Sequence, residues 1–210
     1  MSRILYLQAS PRQRRSHAIA VADAFVESYR QLHPKDEMAH LNLFAAHLPP
    51  FDGFAVQAKY SILHGQEQSE EEQAAWKAIE VVIETFKSAD KYVLAVPMWN
   101  FGIPYRLKQY LDILVQPTYT FSFSPKEGYK GLVVGKPAFI AYARGGEYPA
   151  GTPGEAFDFQ KKYLECILGF IGITDIRSVV VEPTLGGGPD VAAKKREAAI
   201  IKAREMAKDF

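Results

Sequence analysis

Three short segments carry residue types that suit ligand chemistry better than plain connection. The first is Ser10-Pro11-Arg12-Gln13-Arg14-Arg15-Ser16-His17-Ala18, between a short apolar run and a stretch of helical spacing. Two hydroxyls, three arginines and the open N–H groups of a helix start are together a phosphate-holding chemistry. The alternative, for this segment alone, is that Ser16 merely caps the helix and the arginines are solvated. The second is Pro97-Met98-Trp99-Asn100-Phe101-Gly102-Ile103-Pro104. Its aromatics, amide and glycine suit a planar aromatic ligand, which needs apolar surface to stack on and backbone donors for ring heteroatoms. Aromatics tucked into the core are the alternative. The third is Ala143-Arg144-Gly145-Gly146-Glu147-Tyr148, where paired glycines let a backbone approach a ligand closely, although Gly-Gly is also an ordinary turn. Neither G-x-G-x-x-G nor G-x-x-x-x-G-K-[ST] occurs in the first segment, so a Rossmann or Walker site is not indicated.

These segments need a frame, and strand and helix alternate along the whole chain. Ile4–Gln8 reads as a first strand and Ser16–Leu32 as a helix, with Ile19, Ala22, Phe25, Val26 and Tyr29 on its apolar stripe. A weak second strand spans Glu37–Leu43, and Phe44–Phe54 is a loop marked by Pro49-Pro50 and Asp52-Gly53. Ser69 and Glu72 form a capping box for a helix running through Trp76, Ile79, Ile83 and Phe86. Tyr92–Val96 is apolar throughout, as in a strand buried on both faces. A helix begins near Pro104, a fourth strand spans Ala138–Tyr142, and Ala156–Ile171 is helical. A fifth strand, Ile176–Val181, and a helix over Val191–Lys208 close the chain.

This pattern predicts one α/β domain over residues 1–210, a five-stranded parallel sheet with helices on both faces. Ligands of such sheets sit beyond the carboxyl ends of the strands, where the strand order switches. The loops after the first, third and fourth strands are the three segments above.

Composition narrows the setting. The chain has 210 residues, 48% hydrophobic and 23% charged, with a formal net charge of +1 and no long basic run, which argues against nucleic acid or an anionic membrane as partner. No apolar stretch approaches the ~18 residues needed to cross a bilayer, and the start is too short for a signal peptide. A cytoplasmic protein is expected. One cysteine, Cys166, excludes an internal disulfide, and it is expected in the core on an apolar helix side. The histidines show no metal-ligand spacing, and no acid–base pair stands out. Gly186-Gly187-Gly188-Pro189 reads as a flexible connector away from the three loops, not as a phosphate loop.

Taken together, Gln8-Ala9-Ser10-Pro11-Arg12, Met98 to Pro104, Arg144-Gly145-Gly146 and Leu168 to Asp175 resemble the FMN-dependent NADH:azoreductase and NAD(P)H:quinone oxidoreductase family. The resemblance covers essentially the whole chain and implies a flavodoxin-like sheet of order 2-1-3-4-5. It implies that Ser10, Arg12, Ser16, His17 and Ala18 hold the FMN phosphate. Met98, Trp99, Asn100 and Phe101 would cradle the isoalloxazine ring, with Ala143, Arg144, Gly145 and Gly146 along its other edge. It further implies NADH or NADPH as donor, quinones and azo compounds as acceptors, ping-pong two-electron transfer and a homodimer. Phe121, Phe123 and Phe170 would then line an apolar acceptor cleft, their alternating stretch Tyr119–Ser124 otherwise being a hairpin buried in one subunit. Ala18 and Ala143 stand where relatives often carry a hydroxyl, each loss worth about 0.5–1.5 kcal/mol of binding, and Trp99 replaces the commoner Tyr. A flavodoxin-type electron carrier, or an NAD(P)H:FMN reductase releasing free reduced flavin, are the other readings.

Overall fold

The computed structural model describes all of residues 1–210. Strands β1 (Arg3–Gln8), β2 (Glu37–Asn42) and β3 (Lys91–Pro97) form one side of the main sheet. A short antiparallel hairpin follows, β4 (Phe121–Ser124) and β5 (Gly128–Gly131), before β6 (Ala138–Ala143) and β7 (Ile176–Val181) complete the sheet. The order is β2-β1-β3-β6-β7, with every neighbouring pair parallel. With the hairpin set aside, this is the expected 2-1-3-4-5.

Side chains alternate across a strand, so a parallel sheet must be covered on both faces. Leu5, Leu7, Leu94, Ile140 and Tyr142 belong to a core cluster of 28 residues. Their neighbours Ile4, Tyr6, Val93, Phe139 and Ala141 belong to a second cluster of 20. Helices α1 (His17–Leu32) and α6 (Gly188–Met206) pack side by side over the second face. There Phe25 stacks on Phe139 with ring centroids 3.9 Å apart. The other face is covered by α2 (Gly53–His64), α3 (Glu70–Lys87), α4 (Tyr105–Leu114) and α5 (Lys161–Phe170). The Ser69/Glu72 capping box forms as expected.

Four local readings change. Helix α2 was not anticipated, because its apolar residues form no single stripe: Ala55 and Ala58 are buried while Phe54, Tyr60 and Leu63 are exposed. It is punctuated instead by Asp52, whose carboxylate accepts the N–H groups of Phe54 and Ala55, and by left-handed Gly65. The helix expected over Ala156–Ile171 breaks into a 3-10 turn, Pro153–Phe157, and α5, with Asp158 and Gln160 buried between them. The last helix starts at Gly188 rather than Val191. Cys166 is exposed, since the buried stripe of α5 runs through Leu164 and Leu168.

The hairpin base sits against the end of α5: Val133 N–H donates to Ile171 C=O at 2.8 Å. A Cβ on Gly131 would lie 2.3 Å from the Gly172 nitrogen, so only glycine fits there. No helix is long and apolar enough to cross a membrane.

Candidate flavin site

The carboxyl ends of β1, β3 and β6 bring the three segments to one end of the sheet. Ser10 is buried just after β1 and its Oγ accepts the Arg12 N–H at 3.4 Å. Ser16 caps α1, its Oγ accepting the Ile19 N–H at 3.3 Å. Capping leaves the first helical N–H groups, those of His17 and Ala18, with no acceptor in the chain. The Ala18 side chain is fully buried beneath them. All three arginines are exposed, but only Arg12 lines the cavity that results, Arg14 and Arg15 lying in a short 3-10 turn outside it.

After β3 the chain reverses tightly. Trp99 and Gly102 exchange both backbone hydrogen bonds at 2.9 Å, with Asn100 at φ 48° and Phe101 at φ 68°. Positive φ at both central residues is the type I′ turn, usually built from Asn and Gly. A phenylalanine there stores strain of about 1–3 kcal/mol. The turn leaves the Asn100 and Phe101 N–H groups without acceptors and holds Trp99 and Phe101 about half exposed. The two rings diverge, Trp99 towards Phe44 and Tyr105, Phe101 towards Tyr148 and Phe157.

Ser10, Arg12, Ser16, His17, Met98, Trp99, Ala143 and Gly145 together line a cavity of about 140 Å³. Asn100 instead borders, with Trp99, a wider neighbouring cleft of about 720 Å³ that also meets Phe51 and Tyr105. Thr184 and Leu185 complete the small cavity, and the sequence reading missed them. That reading placed the glycine run after β7 away from the site. The structure instead brings it beside the third loop: Gly186 N–H donates to Gly145 C=O at 3.4 Å, just after Thr184 N–H donates to Arg144 C=O at 2.8 Å and Leu185 N–H to Gly145 C=O at 3.1 Å. The available signal was topological, because helices α1 and α6 share a face and so present their starts side by side.

The Arg144 side chain points away from this cavity. It is 2% exposed, paired with Asp158 at 2.8 Å and Glu182 at 3.4 Å, and its Nε donates to Gln160 at 2.9 Å. Gln160 in turn donates to the Val96 carbonyl at 2.9 Å, at the end of β3. Arg144 therefore meets the cavity through backbone only. Phe121, Phe123 and Phe170 cluster with Tyr129, but elsewhere. Helix α5 starts beside the end of β3 and runs back to the start of β7, so Phe170 lies towards the amino ends of the strands.

Comparison with known proteins agrees with this geometry. Residues 2–207 match the family model described as flavodoxin-like fold. The chain belongs to that flavodoxin-like family. It is similar to an FMN-dependent NADH:quinone oxidoreductase of Nitratidesulfovibrio vulgaris strain DP4, 57% identical over 210 residues and covering 100% of both chains. A protein of the same description from Desulfotalea psychrophila is 46% identical, over 96% of this chain and 93% of that one. Among solved structures, an azoreductase from Bacillus anthracis superposes with a TM-score of 0.91 at 30% identity, covering 100% of each chain. An FMN-dependent NADH-azoreductase from Bacillus anthracis, in complex with FMN, gives 0.87 at 29% identity over 99% and 100% of the chains.

The donor set of this flavodoxin-like chain fits a phosphate monoester. Ser10, Ser16, His17 and Arg12 line the cavity, no carboxylate does, and the N–H groups of His17 and its neighbour Ala18 have no acceptor in the chain. His17 Nδ1 is shielded from solvent with no partner in the chain. Burial, with the Arg196 and Arg12 guanidiniums adding to it, holds the imidazole below its ordinary pKa of 6.5 and hence neutral at neutral pH. The unfolded chain then takes up this proton more readily, so His17 costs stability as pH falls from 6.5 towards its lowered value.

The Arg144 cluster yields a stability prediction. Removing a partner from a buried ion pair leaves the other charge uncompensated. Asp158→Ala should destabilise the protein by about 3 kcal/mol in urea denaturation, the low end of the range because Glu182 remains. A loss below about 0.5 kcal/mol would mean that the guanidinium does not depend on Asp158.

Proposed function

We propose that this protein is an FMN-dependent NAD(P)H oxidoreductase that reduces quinones and azo compounds two electrons at a time. The observation that carries the reading is the junction of a phosphate-type cavity with a strained, aromatic-flanked turn whose two central N–H groups are free. The names of the similar proteins support it. Bound FMN supplies the hydride-accepting ring, so no protein acid–base pair is required. The chain's own residues bind and orient. Ser10, Ser16, His17 and Ala18 fix the phosphate end, with Arg12 as its charge partner. Met98 and Trp99 support the ring, and the Asn100 and Phe101 N–H groups are preorganised donors for negative charge that develops on it. The Ala143–Gly146 backbone lies along the other edge. Donor and acceptor would use the same cleft beside Trp99 in turn, a ping-pong order.

The same geometry supports a homodimer. The cavity of about 140 Å³ suits the phosphate end alone, and the wider cleft of about 720 Å³ that shares Trp99 with it is left for the ring. The Phe121, Phe123, Tyr129 and Phe170 cluster lies at the opposite end of its own sheet, with Phe123 and Tyr129 each more than half exposed. A second copy can lay that cluster over the open ring face and so complete the acceptor cleft. Sedimentation of the FMN-loaded protein should give twice the chain mass; a monomer that turns over at full rate would remove the dimer from the account.

An anaerobic absorption titration tests the activity. NADH should bleach the bound flavin fully, and menadione should restore it with FMN still on the protein. Flavin that NADH cannot reduce would leave an electron carrier as the better reading. Flavin released on reduction would point to a reductase of free flavin.

A further inference from the structure

The phosphate cavity continues past His17. A second chamber of about 390 Å³ opens between α1 and α6, and the two share His17, Thr184 and Leu185. Its one fully charged lining residue is Arg196, and no carboxylate lines it. Of the other cations of α6, Lys195 pairs with Glu147 at 3.6 Å and Arg204 with Glu27 at 3.9 Å, while Lys194 and Lys202 are exposed to solvent. Arg196, which is partly buried, pairs with none. Beside it, His17 Nδ1 is shielded and unpartnered.

A partly desolvated guanidinium in an acid-free chamber lacks the counter-charge that normally offsets its burial. The flavin phosphate would carry about two negative charges next door. We propose that Arg196 is a counter-ion of the flavin phosphate, reaching it across His17, so that the last helix as well as the loop after β1 selects the phosphorylated flavin. The inference rests on the FMN reading above. It adds a binding residue that lies outside every segment of the family resemblance. Arg12 and Arg196 then bracket the phosphate from opposite sides of His17, one from each cavity.

The test is equilibrium binding of FMN and of riboflavin to flavin-free wild type, Arg196→Gln and Arg196→Lys, with thermal melts to show that each variant is folded. Losing a charge-assisted contact should weaken FMN binding by about tenfold in Arg196→Gln. Riboflavin affinity should stay at the wild-type value, and Arg196→Lys should recover most of the FMN affinity. FMN binding within about twofold of wild type in a folded Arg196→Gln variant would overturn the proposal, as would equal weakening of FMN and riboflavin. A wild type that binds FMN no better than riboflavin would be a different failure, that of the phosphate reading itself. Should Arg196→Gln not fold, raising the salt on wild type serves instead. The preference for FMN over riboflavin must then shrink as screening weakens the guanidinium–phosphate attraction, and a salt-independent preference would overturn it.

Discussion

A guanidinium cannot be buried alone, and the placement of Arg144 constrains everything at the functional end of this molecule. Its charge is held by Asp158, by Glu182 and by Gln160, which come from the 3-10/α5 junction and the end of β7. Gln160 reaches on to the Val96 carbonyl near the end of β3. Three strand ends and the start of a helix are thereby tied to one side chain. A buried ion pair adds little net stability against an apolar alternative, but it is demanding about geometry. Here that demand falls on the backbone of Ala143–Gly146 and, through Val96, on the segment that leads into Met98. The residue is essential to the site's shape while its charge faces away from the site.

The second constraint is the turn at Trp99–Gly102. Keeping Phe101 at positive φ requires surroundings that over-determine it, and the paired Trp99–Gly102 hydrogen bonds with the Phe101–Phe157 contact supply them. The result is a pair of backbone donors held in place without partners in the chain. The two-faced sheet supplies the remaining part. Because α1 and α6 pack together over one face, the starts of both helices meet beside His17. The two adjoining acid-free cavities are thus assembled from residues as far apart in sequence as Arg12 and Arg196.

Much of this was legible in the sequence, for identifiable reasons. Fully apolar runs such as Tyr92–Val96 read as central strands of a covered sheet, so the parallel sheet followed from the pattern, while its order came with the family resemblance. Loops rich in aromatics and hydroxyls directly after such strands marked the site. Helix α2 escaped because capping by Asp52 and Gly65, rather than an apolar stripe, defines it. The role of Arg144 escaped because its partners Asp158, Gln160 and Glu182 are distant in sequence, and nothing local says that an arginine beside two glycines turns inward. Thr184, Leu185 and Arg196 were missed for the same reason: only the packing of α6 on α1 brings them to His17.

The central claim is that three strand-end loops and the start of α1 form one flavin site. Amide hydrogen exchange of the protein with and without FMN tests it most directly. The account predicts new protection on FMN binding at His17–Ala18, Asn100–Phe101 and Gly145–Gly146, the positions whose N–H groups have no acceptor within the chain. Protection confined to other segments, with these amides exchanging as in the flavin-free protein, would contradict it.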